Sequence, residues 1–532
     1  MDKIKNPILP GFHPDPSILR VGDDYYIATS TFEWFPGVMI YHSKDLKNWH
    51  LVATPLNRIS QLDLRGTNSS EGVWAPCLSW CDGVFYLVYT IMRHWSYNGP
   101  RDMHNYLVTS KNIAGDWSEP IYLNSSGFDP SLFHDTDGRK WLVNMQWDYR
   151  QGHTSFAGIV MQEYSEQEKK LTGSVKLIFK GTKLGWVEGP HLYKKDGWYY
   201  LLTAEGGTKF PHAVTMARSK VLEGPYEVHP ENPILTSYRN PFLKLQKAGH
   251  GCLVEAKNGE WYLAHLCARP LPSRGRCILG RETAIQKVTW QENGWIAPVN
   301  GNGEPAEFTE APEVEEQVWE PVPEREDFNN TELPLYFQSL RVPLTADMMS
   351  LTERPGFLRL KGGESIGSRY YQSLIARRQQ AFCYTASTAL EFDADSFLQL
   401  AGLIVMYDIR NFFYMHITKD EERGKVLNIQ ICEKGIYREP LKEPVLIEGY
   451  NRCYLKAEVR YHRLRFFWGV EENEWNEIGD VYDVSVLSDD YMEPTQFTGA
   501  FVGLCCQDLS GNRKAADFDY FDYREEEEHE FI

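Results

Sequence analysis

The feature that most constrains the fold of this chain is a short motif that occurs five times in its first 300 residues. Each copy leads into a turn that contains Asp or Asn and then into a strand rich in aromatic residues. The residues at the matched position are Pro16, Pro76, Pro130, Pro190 and Gly251. They follow one another at intervals of 54 to 61 residues. Several short strands in each unit, repeated five times, predict a five-bladed β-propeller.

A second domain is predicted after the repeats. The length of 532 residues is too great for a single ordinary core. Residues 301–326 are rich in Pro and Glu and show no hydrophobic period, which is typical of a linker. From residue 327 to 532, short alternating strands recur without the motif of the first domain. We therefore predict an all-β chain in which a propeller, residues 1–300, precedes a β-sandwich of jelly-roll type.

The composition of the chain argues against some classes of binding partner. The net charge of −18 argues against a nucleic acid or an anionic membrane as partner, because both require clustered Lys and Arg. No run of 18 apolar residues is present, so no membrane span is predicted. The first residues carry charge and lack the apolar core of a signal peptide, so we expect a cytoplasmic protein.

Acidic side chains break the five-fold repeat at one position. The residue before the matched position is Asp15, Ala75, Asp129, Gly189 or His250, and Glu188 comes one residue earlier in the fourth copy. The first strands of propeller blades line the central channel, so we expect these side chains to converge at one mouth of it. The alternative is that each acid only stabilises a turn, as Asp before Pro often does. Three acids at one register of a repeat favour a shared site.

Three carboxyl groups in one channel point to the hydrolysis of a glycosidic bond. The reaction needs one carboxylic acid to protonate the leaving oxygen and one carboxylate to activate water or attack carbon. A third negative charge near the acid raises its pKa, because like charges disfavour a second ionisation.

The motifs resemble those of glycoside hydrolase family 43, and the whole chain resembles its two-domain β-xylosidases. The resemblance rests on Pro14-Asp15-Pro16-Ser17, Trp74-Ala75-Pro76, Phe128-Asp129-Pro130-Ser131, Val187-Glu188-Gly189-Pro190 and Leu279-Gly280-Arg281-Glu282-Thr283. It implies an inverting enzyme that releases D-xylose from the non-reducing end of short β-1,4-xylo-oligosaccharides, often with α-L-arabinofuranosidase activity. Carried over by position, Asp15 is the general base, Glu188 the general acid, and Asp129 orients Glu188 and raises its pKa.

Four further residues are candidates for binding substrate. By the same resemblance, Arg281 bonds sugar hydroxyls, although a structural salt bridge is an equal alternative. Trp74 and Phe32 are expected to form apolar walls for the sugar ring, with ordinary core packing as the alternative. His250 is expected to bond Asp129, a channel water or a cation at the axis, or else to be a core histidine. In the enzymes that this chain resembles, an aromatic residue of the sandwich closes the pocket, and Phe501 and Phe518 are the candidates.

No cofactor is expected to be required, and no metal ligand is assigned. The sequence leaves open whether the protein binds a structural or activating Ca²⁺, for which Asp327 and Asp519 are the candidate oxygen donors. The expected partners are a small oligosaccharide and further copies of this chain, as a homodimer or homotetramer. Two alternatives remain: an α-L-arabinofuranosidase or arabinan-degrading enzyme that uses the same three acids, and a non-catalytic sugar-binding propeller. The presence of all three acids disfavours the last.

Overall fold

The predicted all-β architecture, a five-bladed propeller followed by a sandwich, is confirmed. The computed structural model describes residues 2–96, 98–492 and 496–527. Within these ranges the one helical element is a short 3₁₀ turn, Val484–Val486. No helix in them is long and apolar enough to cross a lipid bilayer.

Each repeat of the sequence forms one antiparallel blade whose strands pair in chain order. Blade one contains Ser17–Val21, Asp24–Thr29, Met39–Ser43 and His50–Ala53. Blade two contains Gly72–Cys81, Val84–His94, Asp102–Ser110 and Ile121–Asn124. Blade three contains Ser131–His134, Lys140–Trp147, Phe156–Ser165 and Lys170–Phe179. Blade four contains Glu188–Lys195, Trp198–Glu205, Ala213–Ser219, Glu227–Val228 and the short Leu235–Thr236. Blade five contains Gln246–Glu255, Trp261–Ala268, Glu282–Trp290 and Ile296–Pro298.

The first strands of the blades line the central axis. Each of them contacts the first strand of the next blade, and the first strand of blade five contacts that of blade one, so the ring is closed. Successive side chains of a strand point to opposite faces, so the blades pack on one another through alternate apolar residues. The beginning of every first strand therefore lies at the same end of the axis.

The two ends of the propeller chain are fastened to each other. Lys3–Lys5 pairs with Phe308–Glu310, and the Asn6 side chain donates to the carbonyl of Ile285 in blade five at 2.8 Å. The segment predicted as a linker, residues 301–326, therefore includes a strand that helps close the propeller. Further along, the backbone N–H of Gln317 donates to Asp45 of blade one at 3.0 Å. This segment lies along the propeller instead of tethering the domains loosely.

The second domain consists of two sheets that enclose one apolar core. The nine-stranded sheet contains Arg325–Glu326, Met349–Ser350, Leu358–Lys361, Cys383–Glu391, Arg452–Arg460, Arg463–Gly469, Asn476–Asp483, Ala515–Phe518 and Phe521–Glu525. The seven-stranded sheet contains Ser373–Arg378, Gln399–Asp408, Asn411–Asp420, Gly424–Glu433, Ile436–Arg438, Val445–Leu446 and Phe501–Asp508. Where one face of a strand meets solvent, buried and less buried residues alternate along it, as in Arg452–Arg460.

The sandwich is joined to the propeller through buried aromatic and backbone contacts. Trp34–Phe35, between strands of blade one, pairs with Ser339–Leu340 of the second domain. The ring of Trp34 stacks on that of Phe501 with centroids 3.6 Å apart and planes at 14°. Phe501 is therefore a fully buried interface residue and does not line the pocket, and Phe518 lies in the sandwich core. Neither of the two aromatic residues proposed from the sequence closes the active site.

Replacing Phe501 by Ala should destabilise the folded chain, because it removes a buried ring between the domains. We expect a loss of about 3–5 kcal/mol in the free energy of unfolding, the usual cost of Phe→Ala in a core. Thermal and denaturant melts of the full chain measure it. The matched control is Phe242→Ala, since Phe242 is 87% exposed and its loss should cost no more than about 0.5 kcal/mol. Equal stability of the two variants would contradict the interface described above.

Candidate active site

The five residues that precede the matched position share an unusual backbone conformation. Their φ angles are all positive: Asp15 56°, Ala75 36°, Asp129 56°, Gly189 56° and His250 45°. Residues other than Gly seldom adopt this left-handed region, and the cost of doing so is of order 1–3 kcal/mol each. Because the conformation recurs at one register of all five blades, the propeller imposes it. It places the side chains of Asp15, Ala75, Asp129 and His250, with the bare backbone of Gly189, at one end of the axis.

The missing side chain of Gly189 makes room for His250. A Cβ atom at Gly189 would lie 2.9 Å from Cδ2 and Nε2 of the His250 ring, closer than real side chains allow. The space that a side chain at Gly189 would need is filled by the imidazole of His250, which approaches from the neighbouring blade.

Asp15 is buried among positively charged and hydroxyl groups. Nη1 of Arg281 lies 3.3 Å from Oδ1 of Asp15, and Nδ1 of His250 lies 3.4 Å from the same oxygen. The Ser30 hydroxyl donates to Oδ2 at 2.7 Å. Burial alone would raise the pKa of Asp15, but the charge of Arg281, with His250 and Ser30, lowers that pKa below its usual value. Asp15 is therefore ionised at neutral pH.

Ser30 connects two blades behind Asp15. Its hydroxyl oxygen accepts a hydrogen bond from the backbone N–H of Ala75 at 2.7 Å while its proton goes to Asp15. The hydroxyl is thereby fixed at both ends and holds one carboxylate oxygen in place. Sequence reasoning missed this residue, because a single Ser after a strand gives no signal.

Asp129 and Glu188 are buried, and among the residues that the structure describes no cation forms an ion pair with either carboxyl group. The backbone N–H of Gly189 donates to Oδ2 of Asp129 at 3.0 Å. Burial raises the pKa of Glu188, and the nearby charge of Asp129 raises it further. Burial also raises the pKa of Asp129, against the opposing charge of His250. Of the three acids, Glu188 is the one that keeps its proton most firmly at neutral pH.

His250 lies between the acids. Burial would lower the pKa of His250, but its bond to Asp15 and the charges of Asp129, Asp15 and Glu188 raise that pKa to about 9. The imidazole is therefore a cation that faces the carboxyl cluster. Of the roles considered from the sequence, the structure places His250 beside the acids and not in an apolar core.

Aromatic rings wall the space next to the acids. The rings of Phe32 and Trp74 are 5.9 Å apart, and Trp74 lines a cavity at this end of the propeller. Phe497 of the sandwich packs on both, at 6.0 Å from Phe32 and 5.4 Å from Trp74. The Phe497 carbonyl accepts from Nη2 of Arg281 at 3.0 Å. Phe497, which the sequence did not identify, is therefore an aromatic residue of the sandwich that lines the same cavity as Trp74, and it lies four residues before Phe501.

A second group missed from the sequence surrounds Arg101. Its guanidinium lies between the rings of Trp95 and Trp147, at 3.6 Å and 3.3 Å from their centroids. Burial lowers the pKa of Arg101 to about 9, against the opposing charge of Glu188. Nη1 is buried and has no hydrogen-bond partner among the residues that the structure describes. A buried cation thus lies near the acid, held by ring faces.

The two aspartates considered for Ca²⁺ lie apart from this site. Asp327 is exposed, and Asp519 accepts from Arg452 at 2.8 Å. Over residues 2–96, 98–492 and 496–527, no three His, Cys, Asp or Glu side chains are grouped so that they could hold a metal ion.

Both domains match known protein families. Residues 4–296 match glycosyl hydrolases family 43, and residues 325–524 match the β-xylosidase C-terminal concanavalin A-like domain. The chain is 50% identical over 538 residues to a β-xylosidase of Bacillus subtilis (strain 168), covering 98% of this chain and 100% of that protein. It is 49% identical over 533 residues to xylosidase/arabinosidase 43B of Humicola insolens, covering 98% of each.

A solved structure agrees over both domains. The crystal structure of xylan β-1,4-xylosidase from Bacillus halodurans C-125 superposes with a TM-score of 0.97 at 56% identity, covering 98% of this chain and 100% of that one. Together with the family match over the propeller, this similarity settles the family. The chain is a member of glycosyl hydrolases family 43.

Proposed function

We propose that this protein is an exo-acting β-xylosidase that releases D-xylose from the non-reducing end of short β-1,4-xylo-oligosaccharides with inversion. The observation that carries the proposal is the pairing of an ionised Asp15 with a protonated Glu188 in one buried cluster. The hydrolysis of a glycosidic bond requires a base that is ionised and an acid that is protonated at the same pH. The names of the similar proteins support xylosides as the substrate.

In this mechanism each acid has one task. Asp15 takes a proton from the water that attacks the anomeric carbon, while Glu188 gives its proton to the leaving oxygen. Asp129 keeps the pKa of Glu188 high and holds the backbone of the Glu188 strand through the N–H of Gly189. Arg281 and His250 keep Asp15 ionised, and Nη2 of Arg281 also donates to the carbonyl of Phe497.

The position of Phe497 favours an exo-acting enzyme. The ring packs against Phe32 and Trp74 and closes the wall on the side of the sandwich. A pocket closed on one side admits the end of a sugar chain, whereas a polymer would need an open cleft. The stacked rings provide flat apolar faces, which suit the C–H face of a neutral pyranose.

A second activity, on α-L-arabinofuranosides, is favoured by the similarity to the xylosidase/arabinosidase of Humicola insolens. The two activities need the same acids and differ only in the shape of the terminal sugar. We expect nitrophenyl β-D-xylopyranoside to be the better substrate and nitrophenyl α-L-arabinofuranoside to be cleaved more slowly. Parallel measurements of kcat/KM decide, and a clear preference for the arabinoside would reverse the order.

The proposed proton transfers need no cofactor, because both are carried by side-chain carboxyl groups. Addition and removal of Ca²⁺ should therefore leave the pairing of acid and base intact. The homo-oligomeric state and the cytoplasmic location stay predictions from the sequence.

Replacing either catalytic carboxyl should abolish most of the activity while the fold persists. We expect Glu188→Gln to lower kcat on xylobiose by about 10²–10⁴-fold, the usual contribution of a general acid. Asp15→Asn should lower it at least as much, because it removes the carboxylate that takes the proton of the attacking water. Proton NMR of the wild-type reaction should show α-D-xylose as the first product. Near-normal rates in either variant, or β-D-xylose as the first product, would contradict the assignment.

Replacing Asp129 by Asn should change the pH profile as well as the rate. The charge of Asp129 raises the pKa of Glu188, so its removal lets Glu188 lose its proton at lower pH. The alkaline limb of kcat/KM should therefore move to lower pH, by roughly one pH unit. A pH series with nitrophenyl xyloside measures this limb in the wild type and the variant. An alkaline limb that stays in place would show that Asp129 does not set the pKa of the acid.

A further inference from the structure

A line of aromatic rings leads from the buried acids to the protein surface. The ring of Trp74 contacts Phe128 at 5.5 Å, Phe128 contacts Phe156 at 6.0 Å, and Phe156 contacts Trp186 at 5.9 Å. Trp74 and Phe128 are buried, Phe156 is half-buried and Trp186 is 59% exposed. The line thus continues the wall of the pocket outward and ends in an exposed indole.

Trp186 is held in one orientation although it is exposed. Its φ is 55°, a conformation that a bulky residue adopts only when its surroundings enforce it. Its ring is nearly parallel to that of Phe156, at 16°. Gly207 lies against it so closely that a Cβ there would be 2.4 Å from Cε3 of the indole. A fixed exposed ring loses little freedom when it binds a ligand, which favours binding.

The indole lies on the leaving-group side of the bond to be broken. Glu188 gives its proton to the leaving oxygen, so the sugars released with that oxygen extend past Glu188. Trp186 comes two residues before Glu188, at the end of the blade where the acids lie. Trp147, which contacts Phe156 at 5.7 Å, is buried and lies deeper than Trp186. When the first leaving-group sugar lies next to the deeper rings, Trp186 is within reach of the sugar beyond it.

We propose that Trp186, supported by Phe156 and Gly207, is a binding platform for the second leaving-group sugar of a xylo-oligosaccharide. The ligand class is a neutral pyranose, whose apolar C–H face stacks on an indole. This inference rests on the proposed function, since it takes the direction of the substrate from the role of Glu188. It gives the enzyme a preference for a chain of three sugars over one of two.

The ratio of kcat/KM on xylotriose to that on xylobiose tests the platform, because only xylotriose carries a second leaving-group sugar. In Trp186→Ala we expect this ratio to fall about threefold to tenfold, the effect of losing one stacking contact. The control is Trp80→Ala, since Trp80 is a 41% exposed tryptophan near the hairpin at the other end of blade two. Its ratio should equal that of the wild type. An unchanged ratio in Trp186→Ala would overturn the platform.

A second variant tests the same point with the tryptophan retained. Gly207→Ala forces the indole away from its position, so it should also lower the ratio, while Trp186→Phe should retain most of it. If Gly207→Ala and Trp186→Ala both keep the ratio of kcat/KM measured for the wild type, the inference is overturned, even if one of the two variants folds poorly. A wild type that releases no xylose from either sugar would instead refute the proposed function. If the wild type releases xylose from both substrates but the ratio is the same in the wild type and the Trp186 variants, the platform is refuted and the proposed function stands.

Discussion

The burial of three carboxyl groups in one small space is the constraint on which the site depends. Three negative charges so close together, away from water, cannot all persist. Two cations, Arg281 and His250, lie against Asp15 and hold that carboxyl in its ionised form. Glu188 lies beside Asp129, has no such cation bonded to it in the described part of the chain, and keeps its proton. The base Asp15 and the acid Glu188 are both carboxyl groups, and their different surroundings give them different pKa values.

Both domains are needed to create this difference. The propeller supplies the acids at one register and bears the cost of the left-handed backbone at the four of these positions that are not Gly. The sandwich supplies the carbonyl of Phe497, which accepts from Arg281 and fixes the cation that faces Asp15. It also supplies the ring that closes the sugar pocket. The stacking of Trp34 on Phe501 holds the two domains in the relation that these contacts require.

The repeat made much of this predictable from the sequence. A fixed interval between motifs predicts the blades, and one register predicts that Asp15, Asp129 and His250 meet. Contacts that cross between unrelated segments could not be predicted in the same way. Phe497 belongs to a different domain and follows no period, so Phe501 and Phe518 were equally reasonable candidates. The hydroxyl of Ser30 matters only because the backbone of Ala75 reaches it from the next blade.

The protonation of Glu188 at neutral pH is the central claim, and infrared spectroscopy can observe it directly. The difference spectrum between the wild type and Glu188→Gln, both labelled with ¹³C at the side-chain carboxyl of Glu, isolates this one group. At pH 7 we predict the C=O band of a protonated acid, converting to a carboxylate band only at more alkaline pH. A carboxylate band at pH 7 would contradict the account, because the enzyme would then have no acid beside its ionised Asp15.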